Sequence, residues 1–271
     1  MKIHPTAIVE DGARLGADVA IGPYCVVGPH AVLGDGVVLQ SHVVLTGHIS
    51  LGARSVVHSH AVLGGEGQIR NAHLPEARLE IGADNIIREG VTFSAGSARG
   101  GGVTTVGDRG YFMAASHIGH DCHVGNDVTL ANGVQLGGHV HMGDGVIAGG
   151  LAAIQQFGRV GRYAFVGGLT GVVKDVIPFG MVTERGTNLG GLNLIGLKRR
   201  GTPRETIHKI RAAYRAIFHS SEGSVQDRAR KAGETWPDVA EIQEIVAFIL
   251  ADAKRPIATP FPRNRPAEID D

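Results

Sequence analysis

Residues 15–39 read LGADVAIGPYCVVGPHAVLGDGVVL, and an aliphatic side chain returns at every sixth position of this stretch. The same phase extends in both directions, through Ile3, Val9, Leu15, Ile21, Val27, Leu33, Leu39, Leu45, Leu51, Val57 and Leu63. A small or β-branched residue, such as Ala7 or Cys25, stands two positions before each aliphatic residue from Val9 onward. A period of six fits neither an α-helix nor an isolated β-strand. It is typical of a parallel β-helix, in which each hexapeptide forms one face of a triangular coil and eighteen residues complete the coil.

The repeat is interrupted twice, at residues 64–78 (GGEGQIRNAHLPEAR) and at residues 94–105 (SAGSARGGGVTT). It then holds its phase from Val106 to Val172. We therefore predict a mainly β protein, with a hexapeptide β-helix over residues 1–186 and two loops that leave the coil. Because both loops precede a histidine-rich segment, we expect them to contribute to function rather than to be tolerated surface excursions.

Helical signals follow the repeat. Residues 202–205 (TPRE) have the form of a capping box with proline at the first helical position. A second helix is expected over Ser224–Ala232 and a third from about Pro237. We predict a helical domain over residues 187–255 and a flexible tail over residues 256–271, which contains four prolines.

Composition excludes several classes of protein. The formal net charge of the 271-residue chain is zero, which argues against nucleic acid as a partner. The chain has no apolar run of membrane-spanning length and no signal-peptide core at its start, so we expect a cytoplasmic protein.

Its two cysteines, Cys25 and Cys122, occupy small-residue positions of the repeat and are expected to be buried and unpaired. Aliphatic residues beside the inward positions, such as Ile8 and Val44, should face outward, so the prisms are expected to pack as a symmetric oligomer.

Residues 117–122 (HIGHDC) place two imidazoles three positions apart, with a carboxylate directly after the second. Asp121 can hold the His120 imidazole in one tautomer, as a carboxylate does in a general-base pair. An eighteen-residue coil places Gly138 one coil beyond His120, where its N–H could stabilise an oxyanion. No Ser or Cys nucleophile adjoins the pair, so the pattern favours direct attack by a substrate hydroxyl or amine.

The same coil length predicts which side chains accompany His120. His139, beside Gly138, and the pair Gln155 and Gln156, two coils beyond His120, should line one edge of the prism at the strand spacing of about 5 Å per coil. A metal site is the alternative, since three imidazoles could bind zinc as in β-helical carbonic anhydrases. The candidates for it are His117, His120, His123, His139 and His141. We predict neither a metal nor another cofactor.

Positive charge concentrates after the repeat, at Lys198-Arg199-Arg200 and again at Arg204, Lys209, Arg211 and Arg215. Such a cluster in an otherwise neutral chain is either a solvated helix face or a site for a diphosphate or an acidic partner protein.

At these motifs the chain resembles the UDP-N-acetylglucosamine O-acyltransferase family, which opens lipid A biosynthesis. The resemblance covers about residues 1–255. Its most specific marks are residues 117–122, the two insertions, Gln156-Phe157 and residues 196–201 (GLKRRG). It implies a left-handed β-helix in a homotrimer, with sites between subunits. There a 3-hydroxyacyl chain would pass from acyl carrier protein to the 3-position of UDP-N-acetylglucosamine.

The resemblance also implies residue roles. His120 matches the general base, Asp121 its orienting partner and the Gly138 N–H the oxyanion donor. Gly168 matches the position where side-chain size limits acyl length. Seven residues match positions that contact the sugar, the nucleotide, the acyl chain or the carrier in the family: His117, His139, Gln68, Gln156, Asn193, Arg199 and Arg200. Gln155 stands where the family has a histidine.

The sequence departs from the family's pattern at further contact positions. Ile69 and Asn71 replace an aspartate and a lysine of the first insertion, Ser94 replaces a histidine, and Ile195 replaces an acidic residue. An alternative acceptor is therefore the 3-amino analogue of the sugar nucleotide, which would give an amide. The repeat is also compatible with an N-acyltransferase of the related glucosamine type, a metal-dependent carbonic anhydrase or a β-helical scaffold without catalysis.

Overall fold

The computed structural model describes residues 2–183 and 188–261. Its strands are short because the chain turns a corner after every hexapeptide. In chain order they are β1 (Lys2–Ile3), β2 (Ile8–Val9), β3 (Arg14–Leu15), β4 (Ala20–Ile21), β5 (Val26–Val27), β6 (Val32–Leu33), β7 (Val38–Leu39), β8 (Val44–Leu45), β9 (His48–Leu51), β10 (Val56–Val57), β11 (Val62–Gly65), β12 (Arg78–Ile81), β13 (Ile86–Ile87), β14 (Thr92–Ser94), β15 (Val103–Val106), β16 (Tyr111–Phe112), β17 (His117–Ile118), β18 (His123–Val124), β19 (Thr129–Leu130), β20 (Gln135–Leu136), β21 (His141–Met142), β22 (Ile147–Ala148), β23 (Ala153–Ile154), β24 (Arg159–Val160), β25 (Phe165–Val166), β26 (Gly171–Val172), β27 (Gly180–Val182) and β28 (Leu189–Leu192).

Up to β26 every third strand joins the same sheet, which gives a prism with three faces. The first sheet has the order β1-β4-β7-β10-β13-β16-β19-β22-β25-β27-β28, the second β2-β5-β8-β11-β14-β17-β20-β23-β26, and the third β3-β6-β9-β12-β15-β18-β21-β24. Paired residues such as Ile3 and Ile21 lie one coil apart and run parallel. The predicted fold class, a mainly β parallel β-helix followed by helices, is confirmed.

The interior of the prism holds the aliphatic ladder. Leu33, Leu45 and Ile118 are at most 2% exposed, and both cysteines are fully buried as predicted. Burial raises the pKa of the Cys122 thiol to about 12, so this thiol stays protonated. Ile8 points outward and is 58% exposed, which confirms the expected apolar outer surface.

The two insertions are shorter loops than the sequence predicted. The chain leaves the coil over residues 66–77 and again over residues 95–102. Gly65 pairs with Ser94 across the second sheet, so the first residues of both predicted loops still belong to strands.

Between residues 188 and 261, which the structure describes, there are four helices: α1 (Leu194–Arg199), α2 (Arg204–Phe218), α3 (Val225–Thr235) and α4 (Ala240–Leu250). The short helix α1 and the antiparallel pairing of β27 with β28 were not predicted. No helix in the described ranges is long and apolar enough to cross a bilayer.

The capping box predicted at residues 202–205 is wrong. Pro203 is itself the N-cap of α2, its extended backbone (ψ 142°) precedes the helix, and no side chain caps this end. Glu205, which would have closed the box, instead pairs with Lys209 at 2.7 Å. A capping box does form one helix later, between Ser224 and Asp227.

The predicted flexible tail is wrong for its first residues. The Asp175 N–H donates to the Pro256 carbonyl (2.9 Å), the Ala258 N–H donates back to Asp175 (2.8 Å), and Ala258 is fully buried. Backbone pairing therefore fastens this segment to the last coil. The rest of the tail, residues 262–271, and the predicted domain boundary after residue 186 lie outside the described residues.

Candidate active site

The His120 and Asp121 side chains meet at the corner between the second and third sheets. His120 Nδ1 lies 2.8 Å from Asp121 Oδ2, and the two residues are 7% and 3% exposed. Because an ionised carboxylate only accepts hydrogen bonds, Nδ1 carries the hydrogen of this bond. His120 Nε2 is then the nitrogen that can take a proton from a substrate.

The second loop holds the Asp121 carboxylate. Ser97 Oγ donates to Oδ2 at 2.6 Å, and the Ser97 N–H donates to Oδ1 at 3.0 Å. The Asp121 N–H donates to Thr104 Oγ1 at 2.8 Å. Burial alone would raise the pKa of Asp121, but the hydrogen bonds from Ser97 and His120 outweigh it and lower this pKa. The carboxylate therefore stays ionised beside His120.

Gly138 packs against the open side of the His120 ring. A Cβ added at Gly138 would lie 2.5 Å from His120 Nε2 and would also clash with Cε1. The neighbouring N–H groups of Gly137 and His139 donate to the carbonyls of Ile154 and His120. No backbone carbonyl in the described residues accepts the Gly138 N–H. The Gly138 N–H therefore takes no part in the backbone hydrogen bonding of the described coil.

Aromatic rings continue from His120 along the edge of the prism. The His139 ring meets His120 edge-on with centroids 5.0 Å apart, and it stacks on Phe157 at 4.5 Å. Lys254 Nζ lies 4.0 Å from the centroid of Phe157. Burial lowers the pKa of His139 and the Asp121 charge offsets this only in part, so His139 is neutral at neutral pH.

Phe157 entered the sequence analysis only as a mark of the family and was given no place at the site, although it follows His139 by one coil and adding eighteen residues would have placed it there. Gln155 and Gln156 do share this edge, but Gln155 is exposed. The Gln156 carbonyl accepts a hydrogen bond from Arg255 Nε at 2.9 Å.

The first loop passes beside His120. A Cβ added at Gly67 would lie 2.8 Å from His120 Cβ, and the exposed Gln68 follows directly. Ile69 and Asn71 line a cavity of about 390 Å³ within this loop. Their substitution for charged residues therefore changes the wall of a cavity next to the pair.

His117 points outward from the second sheet, and its side chain is turned toward Thr92. His117 Nδ1 is 2.8 Å from Thr92 Oγ1. Burial lowers the pKa of His117.

The remaining predicted residues lie at other corners of the prism. Gly168 is exposed at the corner between the first and second sheets. Helix α1 lies at the corner between the third and first sheets. There Asn193 caps α1 by accepting the Gly196 N–H at 2.9 Å, and it donates to the Tyr163 carbonyl at 3.0 Å. Arg199 is exposed, and the Arg200 guanidinium lies 3.6 Å from the centroid of the Tyr163 ring. A single chain thus does not bring these groups to His120.

Most of the histidines considered as zinc ligands do not lie together in the structure. Ligand atoms of His120, Asp121 and His139 lie within 4.8 Å of one another. His123 and His141 form a separate pair on the third sheet, with ring centroids 4.8 Å apart. The Asp121 carboxylate accepts three hydrogen bonds from Ser97 and His120, and His139 Nε2 lies 3.9 Å from Asp121 Oδ2.

A hexapeptide β-helix with a buried His-Asp pair at its edge defines the class of acyltransferases built on this repeat. A family model described as Udp N-acetylglucosamine O-acyltransferase, Domain 2, matches residues 175–258. The acyl-[acyl-carrier-protein]–UDP-N-acetylglucosamine O-acyltransferase of Rhizobium johnstonii is 47% identical over 259 residues, which are 96% of this chain and 95% of the relative.

Solved structures agree with these relatives. A UDP-N-acetylglucosamine acyltransferase superposes with a TM-score of 0.92 at 35% identity, covering 96% of this chain and 99% of that one. The enzyme from Campylobacter jejuni gives a TM-score of 0.90 at 33% identity, covering 95% and 99%. The chain is an acyltransferase and belongs to the UDP-N-acetylglucosamine O-acyltransferase family.

Proposed function

We propose that this acyltransferase moves a 3-hydroxyacyl chain from acyl carrier protein to the 3-hydroxyl of UDP-N-acetylglucosamine, the first step of lipid A synthesis, in the cytoplasm. The observation that carries the mechanism is the His120 ring, whose Nδ1 is held by Asp121 and whose Nε2 faces Gly138. The activity for which the relatives are named, at 47% identity, supports the choice of substrates.

The proposed reaction uses this geometry. His120 Nε2 takes the proton of the sugar hydroxyl while the oxygen attacks the thioester carbonyl. The tetrahedral oxyanion accepts a hydrogen bond from the Gly138 N–H. When the intermediate collapses, the C–S bond breaks, and the carrier's thiolate takes the proton back from His120. Asp121, ionised throughout, stabilises the imidazolium that forms between these steps.

The complete site, in this proposal, lies between subunits of a homotrimer. Its support is that His120, Gly168 and helix α1 occupy three different corners of one prism, so neighbouring prisms are needed to bring them together. The exposed aliphatic residues Ile8, Leu151 and Leu169 (58%, 64% and 76%) supply an apolar surface for such packing.

A second acceptor is favoured by one observation. Ile69 and Asn71, which replace charged residues of the family's pattern, line the cavity of the first loop. An amine at the sugar 3-position would attack the thioester through the same base and would give an amide.

A competition assay distinguishes the two acceptors. UDP-N-acetylglucosamine and its 3-amino analogue are mixed at equal concentration with 3-hydroxyacyl carrier proteins of several chain lengths, and products are identified by mass spectrometry. Ester as the main product supports the proposal, and amide as the main product supports the second acceptor. Failure of both sugars to react would contradict acyl transfer to a sugar nucleotide.

A further inference from the structure

One corner of the prism, between the third and first sheets, carries a column of side chains. Each coil contributes one residue whose backbone is left-handed, with φ between 55° and 68°; the members from the third coil on are Arg54, Asp84, Arg109, Asp127, Gly145, Tyr163 and Phe179. Opposite charges pair along the column, Arg54 with Asp84 at 2.6 Å and Arg109 with Asp127 at 2.9 Å. Gly145 interrupts this alternation because it has no side chain.

Arg200 fills the space above Gly145. Its guanidinium lies 3.6 Å from the centroid of the Tyr163 ring, and its Nη2 donates to the Gly145 carbonyl at 3.2 Å. On the other side is Asp127, whose pKa is lowered first by its hydrogen bond from Arg109 and also by the Arg200 charge. A Cβ added at Gly145 would lie 2.7 Å from Arg200 Nη2 and would clash with the Tyr163 ring. Gly145 and Tyr163 therefore form a seat for Arg200, which exists because Gly145 has no side chain.

Both ends of helix α1 are fastened at this place. Asn193, at the N-terminal end, donates to the Tyr163 carbonyl at 3.0 Å, and its own N–H donates to the Phe179 carbonyl at 2.7 Å. Arg200, at the C-terminal end, rests on the Tyr163 ring. Between them Lys198 and Arg199 are exposed and make no ion pair within the described residues.

We infer that Tyr163 and Gly145 are positioning residues for the sugar nucleotide, because they seat Arg200 and so fix α1 with Lys198 and Arg199 turned outward. A guanidinium and an ammonium group held at neighbouring positions suit the diphosphate of a nucleotide sugar. The inference rests on the proposed function for the identity of this ligand. It assigns Arg200 to positioning, in place of the direct substrate contact that the resemblance implies.

Glycine variants give a matched test. Gly145→Ala inserts a methyl group into the seat, whereas Gly36→Ala inserts one in the same column at a similar φ (+68° against +62°), where its nearest neighbour is Arg54 Cγ at an ordinary 3.7 Å. Both variants carry the same cost of a left-handed alanine, so the displacement of the Tyr163 ring and of Arg200, which together form the contact under test, distinguishes them. We expect Gly145→Ala to raise KM for UDP-N-acetylglucosamine about three- to thirtyfold, the range of a cation–π contact, with kcat changed less than threefold. Gly36→Ala should leave both constants unchanged.

Tyrosine variants repeat the test without backbone strain from a new methyl group. Tyr163→Leu should raise KM in the same range, and Tyr163→Phe, which keeps the ring, should restore it. Tyr24→Leu is the control, because Tyr24 stands at another corner with the same φ of 58°. A KM for Gly145→Ala and Tyr163→Leu equal to that of the wild type would overturn the inference, as would a fall in kcat alone.

Calorimetric titration of UDP-N-acetylglucosamine separates this inference from the proposed reaction, since binding needs no turnover. Wild type that binds the sugar nucleotide but transfers no acyl chain would overturn the proposed function. Weaker binding by Gly145→Ala than by Gly36→Ala would still support the seat, and equal binding would contradict it.

Discussion

Replacing Gly138 by alanine should inactivate the enzyme while keeping the backbone N–H that is proposed to bind the oxyanion. The new Cβ would lie 2.5 Å from His120 Nε2. Non-bonded heavy atoms settle at about 3.5–4.0 Å, so the imidazole must move by about 1 Å. A displacement of about 1 Å at a reacting group costs on the order of 10²-fold in rate. We therefore expect kcat to fall roughly 10²-fold.

The assay is acyl transfer from 3-hydroxyacyl carrier protein, followed by mass spectrometry and corrected for the folded fraction from thermal unfolding. That correction is needed because overpacking can also cost about 1–3 kcal/mol of stability. Gly171→Ala is the control, since a Cβ there meets nothing within 4 Å. Folded Gly138→Ala enzyme with a kcat within threefold of the wild type would refute the placement of His120 Nε2 at the reacting centre.

Two further substitutions test a hydrogen bond at the site and a buried ion pair at the last coil. Ser97→Ala removes the hydroxyl donor at 2.6 Å from Asp121, so urea unfolding at neutral pH should show a loss of about 1.5–3 kcal/mol. The folded pKa of Asp121 lies below its ordinary 3.8. The loss of unfolding free energy should therefore be present above pH 3.8 and shrink as the pH falls through the folded pKa. A loss independent of pH would contradict the role of the ionised Asp121 carboxylate. Arg159→Met leaves the fully buried Asp175 without its 2.6 Å ion-pair partner and should cost about 3–5 kcal/mol. The exposed pair Arg54–Asp84 is the control, and Arg54→Met should cost much less stability than Arg159→Met because solvent screens the exposed pair; equal costs would show that burial of Asp175 is not what matters.

The β-helix could be predicted because its contacts are periodic. Each inward residue packs against residues one coil away, so the six-residue pattern alone predicts the faces, the interior and the neighbours of His120. His120 and Asp121 are adjacent in sequence, and Gly138 follows at the coil spacing, so the three residues lie close together in the structure.

The contacts that the sequence did not predict cross the interruptions of the repeat. Ser97 reaches Asp121 from a loop with no period, so no spacing indicated that it would supply two hydrogen bonds. Helix α1 is too short for a hydrophobic pattern, and its position depends on tertiary contacts with Tyr163. The capping box at residues 202–205 failed because Pro203 took the N-cap position itself.

The role of His120 as general base can be measured directly by replacing it with alanine and determining kcat/KM for acyl transfer. His123→Ala is the control, because His123 is exposed on the third sheet and its Nδ1 pairs with Thr105 Oγ1 at 2.9 Å rather than with Asp121. We expect His120→Ala to lose about 10²- to 10⁴-fold in rate, with His123→Ala unchanged and both proteins folded. A His120→Ala enzyme that transfers the acyl chain at the wild-type rate would contradict general-base catalysis by this residue.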